Sequence, residues 1–188
     1  TSGYRYNTAM NNHKAFYRSR IRLPGNNSLS VNGGFIYNDF GANGFYAPPG
    51  DIESKETVQT GLASVTGSVR ITDRWLLKPE LSYRYNHDDY IFVRQNPGLY
   101  QNLHTTSVIN SSLNNTINTK LGILGFGAEF RTEQIRSNSL GDRGRDNYGL
   151  FAEYGLTTDS GFILNAGTYL NYSKHFAWQW LPSADIGY

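Results

Sequence analysis

In segment after segment of this chain, apolar residues recur at every second position, and helical spacing is almost absent. A period of two sends alternate side chains to opposite faces of an extended strand, so the chain is restricted to an all-β fold. Residues 3–10 put Tyr4, Tyr6, Thr8 and Met10 on one face and Arg5 and Asn7 on the other. Between 14 and 23, Tyr17, Ser19, Ile21 and Leu23 oppose Arg18, Arg20 and Arg22. After Pro24-Gly25-Asn26-Asn27, Leu29, Val31, Phe35 and Tyr37 alternate with Ser28, Ser30 and Asn32. The same pattern sets Ala63, Val65, Val69 and Ile71 against Thr60, Ser64, Thr66, Ser68 and Arg70. It then sets Trp75, Leu77, Leu81, Tyr83 and Tyr85 against Lys78, Glu80, Arg84 and Asn86. A more polar strand is expected near 104–114. Beyond it Leu124, Phe126, Ala128 and Phe130 oppose Glu129, Arg131 and Glu133, and three further alternating segments end at Tyr188.

The pattern predicts about ten strands of roughly 8–14 residues. Tight turns at 24–27, 72–74, 115–118 and 158–161 fall at one end of the sheet. The other end carries long connections at 39–56, 87–103 and 134–146, with short hairpins near 11–13 and 173–177. Short turns at one end and long loops at the other is the layout of an outer-membrane barrel. Alternation alone does not say whether the apolar face meets lipid or a soluble core. Three features point to lipid. The middle of the apolar face carries no Asp, Glu, Lys or Arg. Aromatic residues gather at expected strand ends (Tyr4, Tyr17, Tyr37, Trp75, Tyr85, Tyr148, Tyr172, Trp180). The opposite face mixes charged and polar residues suited to a wet or plugged lumen. The competing reading is a soluble β-sandwich or ligand-binding β-protein. Pro79 and Pro182 sit on the expected lipid face and each removes a ladder N–H, which predicts a bulge or a place near the membrane boundary.

Composition supports this reading by what it excludes. The mean hydropathy is −0.51 and hydrophobic residues make up 38%. No run approaches the ~18 apolar residues of a membrane helix, whereas a membrane β-barrel averages to such values. A net charge of +2 gives no polybasic signature, so no nucleic-acid partner is expected. Cysteine is absent, which removes disulfides and thiolate chemistry. The opening Thr1-Ser2-Gly3 is not a signal peptide, so such a segment is expected to have been removed or to lie upstream.

Four segments carry a family resemblance: Gly3-Tyr4-Arg5-Tyr6-Asn7-Thr8, Asn38-Asp39-Phe40-Gly41-Ala42-Asn43-Gly44-Phe45-Tyr46-Ala47-Pro48, Phe126-Gly127-Ala128-Glu129-Phe130-Arg131 and Tyr169-Leu170-Asn171-Tyr172. The chain resembles the barrel of TonB-dependent outer-membrane receptors, most of all those of Bacteroidetes, and FGANGFY at 40–46 is the most specific segment. The resemblance implies an antiparallel transmembrane up-and-down β-barrel in the bacterial outer membrane, occupying residues 1–188 as one domain. It also implies import of a scarce nutrient, a corrinoid such as vitamin B12 or an iron-siderophore, driven through TonB. The plug domain and TonB box of the family are absent from the sequence, and ten strands are fewer than half of the family's 22. The expectation is therefore an internal piece of a larger barrel, not an enzyme, with no cofactor. Its partners would be outer-membrane lipid, the nutrient, TonB through the missing plug region and a surface lipoprotein.

Ligand contacts are expected from two loops. Phe40, Asn43, Phe45 and Tyr46 offer apolar faces and turn geometry in the first, and Tyr90, Phe92, Arg94 and Tyr100 do so in the second. The alternative for each is a loop packed by its own aromatics. Arg18, Arg20, Arg22, Arg84, Glu129, Arg131 and Glu153 are expected to line the lumen, where the β-strand arginines would meet Glu129, Glu153 or acidic plug residues. Asp51 with Glu53, Asp88 with Asp89, and Asp142 with Asp146 are oxygen donors on expected loops, but none has the spacing of a calcium loop. The four His residues have no metal-ligand spacing. His87-Asp88-Asp89 is the one set with hydrolytic potential, and supports a self-contained ten-stranded outer-membrane protease or adhesin as the alternative function.

Overall fold

The computed structural model describes residues 6–42 and 53–188. Nine strands form one antiparallel sheet in the order of the chain: β1 (Met10–Leu23), β2 (Asn27–Gly41), β3 (Lys55–Arg70), β4 (Trp75–Ile91), β5 (Gln101–Asn118), β6 (Ile123–Ser137), β7 (Arg143–Thr157), β8 (Ile163–Ser173) and β9 (Ala177–Gly187). A single 3-10 turn, Pro97–Leu99, is the only helical element among the described residues. Each strand pairs with its sequence neighbours, and among the described residues no ladder joins β1 to β9.

The connections alternate in length as the sequence suggests, although residues 115–118, expected to turn, belong to β5 and the chain turns after them. Residues 24–26, 71–74, 119–122 and 158–162 turn the chain at one end, and 42–54, 92–100, 138–142 and 174–176 connect strands at the other. At the first turn Gly25 and Asn26 take successive left-handed φ values of 74° and 61°, a backbone hand that suits the twist of a tight hairpin.

Several boundaries differ from expectation. No hairpin lies at 11–13, because Met10–His13 belong to β1 and pair with Phe40–Tyr37 of β2. Residues 6 and 7 form a turn and 8 and 9 belong to no strand, so the expected first strand at 3–10 is not formed by its described part, of which only Met10 enters β1. Strands run up to 18 residues and absorb most of the expected loops: β4 continues through Ile91, β5 begins at Gln101, β6 reaches Ser137 and β7 begins at Arg143. Pro79 makes no bulge. The β3–β4 register is the same on both sides of it, and the ladder only skips Pro79 itself and its neighbour Lys78. Gly67, which lies across from Pro79, leaves room for the proline ring. Pro182 lies on the edge strand β9 and pairs with Thr168 without a shift.

The register sorts every side chain onto one of two faces. On one face lie Tyr17, Ile21, Leu29, Val31, Phe35, Val65, Leu77, Leu81, Tyr83, Ile109, Leu113, Phe126, Leu150, Leu170, Trp180 and Ile186. On this face the charged strand residues are Asp39, Lys55, Asp89, Arg136 and Asp146, all toward the long-loop end. The Lys55 ammonium meets the Asp39 carboxylate at 3.0 Å. Phe130, Tyr148, Tyr172 and Trp178 form a row across β6 to β9, with successive ring centroids 5.1, 6.2 and 4.9 Å apart. The row lies inside the sheet, since β6 and β7 continue past it toward the long loops.

Among the described residues neither face is covered by a second layer. The chain exposes 12962 Å², whereas a compact monomer of 21.2 kDa exposes about 9,000 Å². Only Ala42 and Tyr90 are buried apolar residues among those described, while Leu81, Leu150 and Trp180 stand 56%, 52% and 69% exposed. On the polar face packing comes instead from side chains lying over glycines: Phe16 over Gly34, Phe151 over Gly127, Glu153 over Gly125 and Tyr169 over Gly149. Tyr169 reaches past Gly149 to donate a hydrogen bond to Glu129 at 3.2 Å.

Candidate functional site

The sheet is tallest at β4 and β5, with 17 and 18 residues, and lowest at β8 and β9, with 11 each. Both segments of predicted ligand contacts attach to the tall side. Of the first, Asn43, Phe45 and Tyr46 lie outside the described residues, as does Asp51. Phe40 is not in a loop. It is a β2 residue on the polar face, in a cross-strand row that runs Met10, Phe40, Glu56, Tyr90, Asn102.

The second segment builds a hollow of about 560 Å³ lined by Tyr90, Phe92, Leu99, Tyr100 and Asn102. The Phe92 amide donates to the Tyr100 carbonyl at 3.1 Å, closing the loop at its base. Their rings meet edge to face with centroids 6.3 Å apart, an arrangement favoured by the ring quadrupoles. Asn102 Nδ2 donates to the Tyr100 hydroxyl at 2.9 Å. The buried Asn102 Oδ1 accepts nothing. One rung away on the same face, Asp88 Oδ1 is also buried without a partner. An apolar hollow with the orphaned Asn102 acceptor in its lining suits a small solute with a flat apolar part and a hydrogen-bond donor.

Arg94, the fourth predicted contact, is taken up by a staple beside the hollow. Its guanidinium donates to Asn7 Oδ1 at 2.9 Å, and its amide donates to the Glu53 carbonyl at 2.8 Å. Asn7 Nδ2 donates to the Ser54 carbonyl at 2.6 Å. The buried Ser54 hydroxyl donates to the Ala42 carbonyl at 2.6 Å, and the Ala42 amide returns a bond to the Ser54 carbonyl at 3.0 Å. Glu53 accepts from the Tyr6 hydroxyl and from Gln95 Nε2 at 2.9 Å. The Tyr6 hydrogen bond, aided by Gln95 and the Arg94 charge, holds the Glu53 carboxyl below its usual range. These bonds tie residues 6–9 to the bases of two loops. The sequence gives no sign of them, because the partners are 47 and 87 positions apart.

Alternation breaks up the hydrolytic candidate. Asp88 faces the polar side, while His87 and Asp89 face the other. Register instead places Asp88, His104 and Ser137 side by side on β4, β5 and β6, with Glu56 hydrogen-bonded to Asp88. His104 Nδ1 lies 2.8 Å from the Ser137 hydroxyl. That hydroxyl also accepts the amides of Ser139 and Leu140 at 3.2 and 2.9 Å, so it caps the 138–142 turn. The row is a structural clasp across three strands. Among the described residues no group of three or more acidic or His side chains is placed to hold a metal.

The seven predicted lumen residues all lie on the polar face. They do not form one cluster. Arg18, Arg20 and Arg22 stand on the edge strand β1, with Arg20 donating to the Ser28 hydroxyl at 3.2 Å, while Glu129 and Glu153 stand on β6 and β7. No ion pair joins the two groups among the described residues. Arg131 instead pairs with Glu133 on its own strand, and Arg145 closes on the same carboxylate from β7, with Nε at 3.0 Å. Glu129 and Glu153 border a hollow of about 680 Å³ with Tyr169 and Asp185.

No protein-family model matches this sequence, and no curated protein matches it.

Proposed function

We propose that this chain is a wall of a bacterial outer-membrane β-barrel, and that its long-loop end captures a small nutrient for TonB-driven import. The observation that carries the membrane reading is the apolar face. It runs free of Asp, Glu, Lys and Arg from the short turns to the aromatic row, and none of the described residues covers it. In water, so large an exposed apolar surface has no stable solution, whereas hydrocarbon satisfies it. Trp75 to Tyr85 on β4 alone covers the ~9–11 residues with which a tilted strand crosses a bilayer. The capture reading rests on the aromatic hollow of the tall side together with the likeness of the 40–46 segment to TonB-dependent receptors. A corrinoid or an iron-siderophore is the nutrient class that likeness favours, with a plug and a surface lipoprotein supplied by other segments or chains.

Phase partitioning tests the first part: the folded protein enters the detergent phase, and a folded β-protein in plain buffer would sink the membrane reading. Titration with cyanocobalamin and with a ferric siderophore tests the second. One of them binds, and binding weakens at least tenfold in Tyr100→Ala. If neither binds, nutrient capture fails while the barrel reading stands.

A further inference from the structure

We infer that Glu56 and Asp88 hold one proton between them, and that this shared proton keeps the aromatic hollow in shape, so that capture there weakens as the pH rises. The control of capture rests on the capture reading above, whereas the role of the proton does not. Register sets the pair against the hollow. Glu56 of β3 is the cross-strand neighbour of Tyr90, a buried wall of the hollow, and Asp88 precedes Tyr90 by two residues on the same face of β4. On β5, His104 stands across from Asp88, and Asn102, also in the lining, stands across from Tyr90. The rung that carries Asp88 is thus next to the rung that builds the hollow.

Ionised carboxylates only accept hydrogen bonds, so two carboxyl groups bond to each other only through a proton. Glu56 and Asp88 are bonded in this way. The second oxygen of Asp88, Oδ1, is buried with no partner, so a full charge on this carboxyl would lack the hydrogen bonds that a buried charge requires. Burial raises both carboxyls above their usual range. The Asp88 charge adds to the rise in Glu56, and His104 partly offsets it in Asp88. Among the described residues the other groups around the pair are few. Phe40 of β2 lies across from Glu56, and Val58 of β3 across from Asp88. Ser137 of β6 lies beyond His104, with its hydroxyl 2.8 Å from His104 Nδ1. His87 and Asp89 act on Asp88 from the opposite face of β4.

The direction of the effect follows from these positions. A carboxyl whose folded value is raised contributes its full stabilisation below its unfolded value and loses it as the pH rises through the folded one. Above that point the proton is gone and two like charges stand side by side. Moving either carboxyl away relieves the repulsion, and both are neighbours of Tyr90. The wall of the hollow loosens, while the strands below the aromatic row are untouched.

Hydrogen exchange of the full chain in detergent micelles tests the role of the proton, read as protection factors from the ordinary carboxylate range up to about pH 8. In the wild-type protein, protection of the 90–102 amides falls roughly fivefold over this range, the scale of one lost hydrogen bond. In Glu56→Gln the side-chain amide donates to Asp88 at every pH, and protection stays constant. Asp88→Asn donates to Glu56 and serves as a second variant with the same expected profile. A wild-type profile equal to that of both variants, or protection that rises with pH, overturns the inference. Titration with cyanocobalamin and with a ferric siderophore tests the control of capture. Affinity falls over the same range in the wild-type protein and stays constant in Glu56→Gln, and a constant wild-type affinity overturns that control. Absence of binding at every pH breaks the capture reading alone, and the exchange profile still decides the role of the proton.

Discussion

Each long strand of this sheet has two parts that obey different rules. From the short turns to the level of the Phe130–Tyr148–Tyr172–Trp178 row, one face is mostly apolar and carries no Asp, Glu, Lys or Arg, while the other holds the charged residues. Past that row on β6 and β7, toward the long loops, both faces are polar, with Thr132 and Gln134 opposite in sense to Glu133; on β4 the same begins only past Tyr85, where His87 and Asp89 oppose Asp88. The lower part is constrained by what surrounds it. The upper part is free of that constraint, and the hollow, the staple and the His104 clasp all lie there.

The sharpest way to break this comparison is a charge placed on the same face at two heights. Leu150→Arg, in the lower part, lowers stability in lipid vesicles by about 2–4 kcal/mol, whereas Gln134→Arg, past the row, changes it by about 0–1 kcal/mol. Urea midpoints measure both. Equal effects at the two positions would mean that the apolar face does not meet hydrocarbon.

The polar face of the lower part is tested next, because its order depends on packing rather than lipid. Gly149 lies beneath the Tyr169 side chain, so a side chain there displaces the ring and breaks the bond to Glu129. Gly149→Val costs about 1–3 kcal/mol, in the range of overpacked sites. Tyr169→Phe removes only the hydrogen bond and costs about 1 kcal/mol. A neutral Gly149→Val would show that the ring has room to move.

The same division explains what the sequence discloses. Face assignment was legible wherever one face is apolar, and Arg18, Arg84, Glu129 and Glu153 fall on the polar side as the period of two requires. Strand ends were not legible past the aromatic row. Asn11-Asn12-His13, His87-Asp88-Asp89 and Thr132 to Ser137 are polar on both faces, so the alternation that marks a strand vanishes although the ladder continues. The site was legible as a set of aromatic residues between β4 and β5. Its polar partners were not, because Asn7, Ser54 and His104 reach their contacts through register and long-range closure, which no local pattern encodes.

In the upper part, single side chains hold loops rather than the sheet. Tyr100→Ala removes the edge contact with Phe92 and the acceptor for Asn102, a loss of about 0.5–1.5 kcal/mol confined to residues 92–102. Hydrogen exchange rises there, and β4 and β5 below the row keep their protection. Spread of the effect into the lower strands would show that the two parts are not independent.

The smallest expected effect is the pH dependence of the staple. Glu53 has its carboxyl held below the usual range by the Tyr6 hydroxyl first, then by Gln95 and Arg94. A carboxyl whose folded value is depressed contributes its stabilisation above its unfolded value and loses it as the pH falls through the folded one. Acidification below the ordinary carboxylate range therefore loosens the link between Tyr6 and Glu53 and exposes the Arg94 amide, which donates to the Glu53 carbonyl. Glu53→Gln removes the charge at every pH and makes the exchange of Arg94 and Gln95 insensitive to acid. Because Glu53 is exposed, the change stays local: the urea midpoint of the sheet does not move between the two proteins. If it does move, the staple at the long-loop end supports the apolar-faced part of the strands, and the boundary drawn at the aromatic row is in the wrong place.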